Sequence, residues 1–304
     1  MRVAAIDIGS NAVRLIIAEV NGRRISKILF RKRYITKLAE ILNSKKLLSD
    51  AAVERTLSAL ADFIGIINQY SVEKVHAVAT SAVRECRNPE SLLKPAAEMG
   101  LNIEVITGDT EAGLIFSGIT AGIETGDKRV LMFDIGGGST EFIYSQPFAG
   151  RAGISVPIGV VKFAEMYSFK DTVDMEHMDR MRIPLFSVLD TVLKTLECKP
   201  EILIGSAGTP TTLAAIDMGM TEYDQEKVNG YRLKIDKIKE IFDMLCGMPA
   251  ELRFHVPGME KGREEVIIPG IMITLELMEM LGMNELIVSD YGLREGLAVA
   301  VANV

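Results

Sequence analysis

One pattern occurs twice in the chain, and it limits the possible folds more than any other feature. An apolar run, the tripeptide Asp-Ile-Gly, a few small or polar residues and a second apolar run appear in AAIDIGSNAVRLII (4–17) and again in LMFDIGGGSTEFIY (131–144). Small, glycine-rich segments between two apolar runs are typical of tight turns that join strands. Because each half of the chain opens with this strand–turn–strand unit, the sequence predicts two similar domains that face each other.

The rest of the chain alternates between strand-like apolar runs and segments with helical spacing. Such alternation indicates an α/β fold with parallel pairing, to which the two hairpins add antiparallel strands. The loop at 122–129 is the predicted boundary between domains 1–124 and 125–304, with the option that the last helix packs back on the first domain. Strands are predicted at 74–80, 103–107 and 201–205, and helices at 50–70, 92–99, 111–121, 177–196, 234–246 and 264–282.

Composition excludes several classes of function. The formal net charge of −7 argues against broad nucleic-acid binding, which needs a basic face. No apolar stretch approaches the roughly 20 residues of a membrane span, and Asp7 interrupts the apolar N-terminus too early for a signal peptide. We therefore expect a soluble, cytoplasmic protein with neither nucleic-acid nor membrane partners. Cys86, Cys198 and Cys246 are as scattered as the histidines, which predicts neither disulfides nor a zinc site.

A basic stretch, RRISKILFRKRYITK (23–37), has two interpretations. It is either the solvated face of two antiparallel strands or a positive lip that helps an anionic substrate to approach.

The second glycine turn suggests phosphate chemistry. Its three consecutive glycines leave backbone N–H groups unobstructed by Cβ atoms, and a run of such amides can bind an anion. Ser139 and Thr140 add hydroxyl donors. Asp134 and Glu141 flank the turn, and carboxylates beside phosphate are favourable only with a cation between them; Mg²⁺ prefers carboxylate, water and phosphate oxygens. An ordinary glycine-rich hairpin is the alternative interpretation.

The first copy of the pattern repeats the turn with Asp7, Gly9, Ser10 and Asn11, and Arg14 stands where the second copy has an acid. A guanidinium can bind phosphate through two N–H groups at once. Two such turns facing each other could hold successive phosphates of one substrate.

Two further strand ends carry hydroxyl groups at the start of a helix. TSAVRE (80–85) supplies Thr80 and Ser81, followed by Arg84, and GSAGTPTTLAA (205–215) offers Thr209 as an N-cap with Pro210 at the first helical position. Helix N-termini attract anions, but serine and threonine also cap helices for stability alone.

A third strand end, ITGDTEAGLIF (106–116), places Asp109 as a possible N-cap and Glu111 in the first turn of a helix. An acid there is favourable to the helix by about 0.3–1 kcal/mol. The functional alternative is a general base that orients and deprotonates a water molecule; position alone favours the structural explanation.

Together these segments resemble the family of exopolyphosphatases and guanosine pentaphosphate phosphohydrolases, the Ppx/GppA family. The resemblance covers nearly the whole chain, and GSNxxRL combined with DIGGGSTE and GLREG is specific to the family. The matching segments are DIGSNAVRL (7–15), TSAVRE (80–85), GDTEA (108–112), DIGGGSTE (134–141), SAGTPTTLAA (206–215), GREEVIIPG (262–270) and SDYGLREG (289–296).

The resemblance implies two ribonuclease-H-like domains of the actin, Hsp70 and sugar-kinase superfamily with a cleft between them, and commonly a homodimer. It implies that Glu111 is the catalytic base, that Asp134 and Glu141 are linked to the metal, and that Gly208 and Thr209 line the same cleft. With the patterns above, the predicted site comprises Glu111, Asp134, Glu141 and Arg84 as catalytic residues; Asp134, Glu141 and Asp7 as ligands of Mg²⁺ or another divalent cation; and Asp7, Gly9, Ser10, Asn11, Arg14, Thr80, Ser81, Gly136, Gly137, Gly138, Ser139, Gly208 and Thr209 as phosphate-binding residues.

The sequence therefore predicts metal-dependent hydrolysis of terminal phosphoanhydride bonds, with inorganic polyphosphate, long or short, as the first candidate substrate and guanosine penta- or tetraphosphate as the other candidate partner. The alternatives are hydrolysis of guanosine pentaphosphate, an ATP-dependent kinase or actin-like ATPase, and a non-catalytic sensor of polyphosphate or nucleotide. Two positions depart from the family pattern: Ala12 replaces a hydroxyl residue, and Thr110 replaces an acid. The chain also ends soon after GLREG, without the C-terminal helical domains of longer members. Because those domains help to hold long polyphosphate, the sequence does not predict processive action on long chains.

Overall fold

The computed structural model describes residues 1–147 and 150–302, so the last two residues of the predicted second domain lie outside it. Its first half contains β1 (Arg2–Ile8), β2 (Ala12–Asn21), β3 (Arg24–Ile35), α1 (Leu42–Lys45), α2 (Asp50–Ile67), β4 (Lys74–Ala79), α3 (Ser81–Glu85), α4 (Glu90–Glu98), β5 (Ile103–Val105) and α5 (Gly108–Gly122). Its second half contains β6 (Val130–Ile135), β7 (Thr140–Gln146), β8 (Gly150–Val156), α6 (Val160–Tyr167), α7 (Met175–Leu193), β9 (Ile202–Ser206), α8 (Gly208–Asp217), α9 (Gln225–Val228), β10 (Arg232–Lys234), α10 (Ile235–Cys246), α11 (Ala250–Arg253), α12 (Ile267–Leu281), β11 (Glu285–Val288) and α13 (Leu293–Ala302).

The chain divides into two compact units: Met1–Ala121 with Tyr291–Val304, and Gly122–Asp290. In the first unit, α13 packs on β1, β2 and β4. The predicted boundary after residue 124 lies in the segment that follows α5, three residues beyond the point of division. Within the described residues, no helix combines the length and the apolar composition needed to cross a membrane.

Each unit is built on one mixed sheet; five strands of the two sheets share a topology, and the second sheet adds β10 antiparallel to β11. The strand order is β3-β2-β1-β4-β5 in the first unit and β10-β11-β9-β6-β7-β8 in the second. In both sheets an antiparallel three-stranded meander continues into two parallel strands, β4 and β5 or β9 and β11. The predicted α/β class, with antiparallel hairpins added to parallel strands, is confirmed.

Burial explains why these segments form sheets with covered faces. β1 and β6 are apolar except for Arg2, Asp7 and Asp134 and are almost completely buried, which is typical of central strands with both faces covered. Helices that cover the sheets, such as α2, alternate buried and exposed residues at helical spacing. In the second unit the core is completed by α12, whose residues are almost all buried.

The predicted helices and strands are present, with ends displaced by at most three residues. Two predicted N-caps are wrong. α5 begins at Gly108, and Thr107 caps it by accepting a hydrogen bond from the N–H of Thr110 at 3.2 Å, so Asp109 is not the cap. α8 begins at Gly208 directly after β9, with Ala207 as the capping residue, so Thr209 already lies inside the helix.

Candidate active site

The first turn joins β1 to β2 and is closed by a hydrogen bond from the N–H of Gly9 to the carbonyl oxygen of Ala12 at 3.0 Å. The carbonyl of Ser10 accepts from Ala39 at 3.0 Å, and that of Asn11 from Lys37 at 3.0 Å. Within residues 1–147 and 150–302, the N–H groups of Ser10 and Asn11 donate no hydrogen bond to the protein. The turn thus uses its carbonyls to hold itself in place and keeps two adjacent donors, which is the condition for binding an anion.

Asp7 and Arg14 lie directly opposite each other at the ends of β1 and β2. Arg14 Nη1 is 2.9 Å from Asp7 Oδ2, and the carboxylate is almost fully buried while the guanidinium is partly exposed. The negative charge of Asp7 is therefore balanced by the protein itself. The predicted roles of Asp7 in metal binding and of both residues in phosphate binding stay predictions.

The β4–α3 connection supplies a hydroxyl beside the first turn. Ser81 Oγ is 2.9 Å from Ser10 Oγ, and both serines are buried. Thr80 is also buried, and its N–H donates to the carbonyl of Ile8 at 3.2 Å. These contacts fix the turn against the start of α3, which brings together the predicted residues Ser10, Thr80 and Ser81.

Glu111 is buried in the first turn of α5 and is held by Arg84. Arg84 Nη1 donates to Glu111 Oε2 at 3.1 Å and to the carbonyl oxygen of Ile106 at 2.9 Å. The guanidinium fixes the carboxylate relative to the strand end from which α5 starts. A carboxylate held in this way can act as a positioned proton acceptor, because its rotamers are restricted before substrate binds.

The second turn repeats the geometry of the first. The N–H of Gly136 donates to the carbonyl oxygen of Ser139 at 2.9 Å, and within the described part of the chain the N–H groups of Gly137 and Gly138 donate no hydrogen bond to the protein. The expectation that every glycine of the turn has a bare amide is wrong for Gly136, because its N–H closes the hairpin. Thr140 is not a free hydroxyl donor either, since its Oγ1 donates to the carbonyl of Ile158 at 2.6 Å.

Helix α6 packs its N-terminus directly against the second turn. The N–H groups of Val160 and Val161 donate to the carbonyl oxygens of Gly136 and Gly137 at 3.0 and 2.9 Å. A Cβ atom on Gly159 would lie 2.4 Å from the carbonyl oxygen of Gly137, so the backbones touch at this point. The carbonyls of the turn therefore point into the helix N-terminus, and the amides of the turn remain as donors. Sequence reasoning missed Gly159, and the Gly before an apolar helical run was its only signal.

Asp134 and Glu141 are directly opposite each other on β6 and β7, at the register position that corresponds to Asp7 and Arg14. Ser206 Oγ donates to Asp134 Oδ2 at 2.5 Å. Glu141 is buried and its Oε1 accepts from Ser155 Oγ at 2.7 Å. Like charges directly opposite on adjacent strands are unfavourable, and a bound cation would balance them.

The donor set formed by these two acids fits a divalent cation of the Mg²⁺ type. Mg²⁺ is commonly bound by one or two carboxylates, with water and substrate phosphate as the other ligands. Among residues 1–147 and 150–302, no group of three or more His, Cys, Asp or Glu side chains could hold a metal ion. The structure is therefore compatible with a two-carboxylate mount and not with a cage made of protein ligands alone.

The loop between β9 and α8 is strained and tightly packed. Ala207 has φ of 67°, a conformation that costs a residue other than glycine of order 1–3 kcal/mol. A Cβ atom on Gly208 would overlap the guanidinium of Arg263, and one on Gly270 would lie 2.1 Å from Thr209 Oγ1. Thr209 is buried as a result, and the phosphate-binding roles of Gly208 and Thr209 stay predictions. Arg263, to which the sequence assigned no role, is buried against this loop and ion-paired with Glu260.

The segment GLREG holds α5, and therefore Glu111, in its place in the first unit. A Cβ atom on Gly118 would lie 2.0 Å from the carbonyl oxygen of Gly292, and one on Gly296 would lie 1.7 Å from that of Leu114. The two glycines thus permit the backbones of α5 and α13 to touch.

Glu295 lies beside this contact and is buried. Its Oε1 is 3.0 Å from Arg31 Nη2 and 2.7 Å from Arg294 Nη2, and its Oε2 accepts from the N–H of Gly292 at 3.0 Å. Burial alone would raise the pKa of Glu295, but the charges of Arg294 and Arg31 outweigh it and lower that pKa below its ordinary value.

Comparison with known proteins gives one family. The sequence profile of the Ppx/GppA phosphatase family matches residues 15–303. Exopolyphosphatase 2 of Mycobacterium tuberculosis is 30% identical over 315 aligned residues, which cover 99% of this chain and 98% of that protein. The crystal structure of the Aquifex aeolicus member of the Ppx/GppA family has a TM-score of 0.84 and 35% identity, and covers 100% of this chain and 98% of that one.

A third relative is longer. The bifunctional 3-dehydroquinate synthase/phosphatase of Fusobacterium nucleatum is 34% identical over 299 residues, which cover 94% of this chain but 44% of that protein. The chain thus spans less than half the length of this relative.

Proposed function

The chain belongs to the Ppx/GppA phosphatase family, whose members are phosphoanhydride hydrolases with the two-domain, actin-like and ribonuclease-H-like fold, and on that premise we propose that it removes terminal phosphate from inorganic polyphosphate. The naming of similar proteins as exopolyphosphatases supports polyphosphate as the substrate. The reaction consumes one water molecule, shortens the polyphosphate by one phosphate unit and releases inorganic phosphate.

The observation that carries the proposal is the pair of matching turns. Each is closed by a glycine N–H at the same position, and each keeps two adjacent N–H groups without an acceptor in the described part of the chain: those of Ser10 and Asn11 in one unit, and of Gly137 and Gly138 in the other. Two anion-binding turns of the same design suit a substrate that repeats the same anionic group.

Glu111 is the proposed base. Its carboxylate orients a water molecule whose oxygen attacks the terminal phosphorus, and it accepts the proton released. The bridging P–O bond breaks, and its electron pair leaves with the shortened chain. Because phosphoryl transfer requires mainly positioning and charge stabilisation, the contact that matters is that from Arg84, which holds the carboxylate in one place.

Asp134 and Glu141 are the residues that would hold the divalent cation. When bound, such a cation neutralises the developing charge on the phosphate oxygens. The hydroxyl groups of Ser206 and Ser155 orient the two carboxylates. The two amides of the second turn supply donors for the phosphate oxygens without any side chain.

A phosphate-release panel tests the proposal and separates its alternatives. Long polyphosphate, short polyphosphate, guanosine pentaphosphate and ATP are each assayed with Mg²⁺ and with EDTA. We expect release from polyphosphate, and none when the metal is removed. Preference for guanosine pentaphosphate or for ATP would favour the corresponding alternative enzyme, and tight polyphosphate binding with no release would indicate a sensor.

Glu111→Gln is the decisive variant, and Asp109→Asn is its matched control. Both changes remove an acid from the first turn of α5, but Glu111 is buried against Arg84 whereas Asp109 is exposed. We expect Glu111→Gln to lower kcat at least about 100-fold and Asp109→Asn to retain it. Unchanged turnover in Glu111→Gln would remove Glu111 from this role. Dimer formation and a cytoplasmic location stay predictions, and sedimentation of the purified protein tests the first.

A further inference from the structure

The basic stretch 23–37 contains several cationic side chains. Their contacts show which of them pair with an acid. Arg31 pairs with Glu295, and Lys32 pairs with Asp62 at 2.9 Å. Lys37, which follows β3, is exposed, and within residues 1–147 and 150–302 its ammonium group forms no ion pair. It is therefore a cation that the fold does not use for its own stability.

The backbone of Lys37 is attached to the first phosphate turn. Its N–H and that of Thr36 both donate to the carbonyl oxygen of Asn11, at 3.0 and 3.1 Å, and the N–H of Ala39 donates to Ser10 at 3.0 Å. Lys37 has φ of 49°, the left-handed region that glycine adopts without steric cost. The hydrogen bonds to the turn hold a lysine in this conformation and attach its backbone to the turn.

The acid closest in sequence does not neutralise Lys37. Glu40 accepts from Arg55 Nη2 at 2.7 Å and from Ser49 Oγ at 2.5 Å. Burial alone would raise the pKa of Glu40, but those two hydrogen bonds, with smaller contributions from the charges of Arg55 and Lys37, lower it. Glu40 is thus an ionised group already committed to another cation, and Lys37 stays available to a ligand.

We propose that Lys37 binds the phosphoryl group that follows the one held by the first turn, so that it recognises a chain of phosphates instead of a single phosphate. The inference rests on the proposed function, since it extends the same anion site. An ammonium group is a point charge without the directional demand of a guanidinium. It suits an internal phosphoryl group that takes no part in bond breaking and whose orientation changes as the chain moves.

The test uses Lys37→Gln and Lys37→Gly, with Lys46→Gln and Lys46→Gly as matched controls. Lys46 is also an exposed lysine with positive φ, 55°, and ends α1. The glycine variants relieve the same backbone strain at both positions, whereas only Lys37 is attached to the turn. Steady-state phosphate release from polyphosphate gives KM and kcat, and phosphate release by the wild type tests the proposed function separately.

We expect both Lys37 variants to raise KM about tenfold, the loss of one charge-assisted contact, with kcat within about twofold because the contact is made equally in ground and transition states. Lys37→Arg should stay within about threefold of the wild-type KM. The Lys46 variants should match the wild type. A wild-type KM in Lys37→Gln, or an equal rise in Lys46→Gln, would overturn the proposal.

Binding without turnover makes the result independent of catalysis. Titration of polyphosphate into Glu111→Gln and into the double variant Glu111→Gln, Lys37→Gln gives two dissociation constants. We expect about a tenfold difference between them. Equal constants would refute a role for Lys37 even if the wild type proved to hydrolyse another substrate.

Discussion

Arg84 Nη1 bonds simultaneously to the carboxylate of Glu111 and to the carbonyl oxygen of Ile106. This double contact ties the carboxylate of Glu111, the proposed base, to the segment between β5 and α5. Arg84 therefore restricts where that carboxylate lies before any substrate binds.

Arg84→Lys separates position from charge. A lysine keeps the positive charge, but its ammonium group sits on a flexible stem and lacks the rigid plane that holds Nη1 of Arg84 between the two acceptors. We expect kcat for phosphate release to fall about 10- to 100-fold, the effect of misplacing a catalytic group, while the unfolding midpoint in urea changes little. Arg87→Lys, at an exposed position three residues along the chain, is the control and should retain wild-type kcat. An unimpaired Arg84→Lys enzyme would show that the contact to Glu111 is not used.

Asp134→Asn tests the pair of opposed acids without relying on activity. The change removes one carboxylate of the proposed cation site and keeps the size of the side chain, so the variant should stay folded in EDTA. The same variant should lose the rise in Tm that Mg²⁺ gives to the wild type, since a ligand that binds the native state stabilises it.

The matched control for this experiment is Asp127→Asn, which changes an exposed acid in the loop before β6. It should leave both the Tm in EDTA and the effect of Mg²⁺ as in the wild type. If Asp134→Asn kept the full shift in Tm with Mg²⁺, the cation would have to bind elsewhere.

Most of what could be predicted about the fold came from the repeated Asp-Ile-Gly pattern. The repeat aligns Arg14 with Glu141 and predicts two similar domains. That Asp7 lies opposite Arg14 and Asp134 opposite Glu141 depends in addition on the strand register, which the geometry of each turn sets. The contacts of Gly159 and Arg263 could not be predicted, because the first depends on the close approach of two backbones and the second on a guanidinium that packs against Gly208 from a segment distant in sequence.

The two N-cap predictions were wrong because tertiary contacts override local preference. Threonine and aspartate are good caps, which favoured Thr209 and Asp109. In the structure α8 follows β9 with one residue between them, and that residue, Ala207, adopts a positive φ that no propensity would suggest. The short connection, with Thr209 packed against Gly270, overrides the local preference.

Gly159→Ala tests whether α6 holds the second turn. The added Cβ would lie 2.4 Å from the carbonyl oxygen of Gly137, so the backbone must shift. We expect a drop in kcat/KM of at least about tenfold, because misplaced amide donors lose their contact with the phosphate, and retention of the circular dichroism spectrum. Gly65→Ala, in α2 with no atom near the added Cβ, should be neutral or stabilising. A Gly159→Ala enzyme with full activity would mean that the turn tolerates displacement.

Glu295 gives a prediction about acid stability. Its pKa in the folded protein is lowered by Arg294 and Arg31 despite burial, so its ionised form stabilises the fold. That contribution is fully present above the pKa of the unfolded chain, about 4.3, and is lost as the pH falls through the lower folded-state pKa. We expect Glu295→Gln to reduce the free energy of unfolding at pH 7 by about 3 kcal/mol, the effect of breaking a buried ion pair. The difference between wild type and variant, measured in urea, should shrink as the pH falls below about 4.3. The exposed Glu98→Gln change should show neither effect, and a difference between wild type and Glu295→Gln that stayed constant with pH would contradict an ionised Glu295 in the native protein.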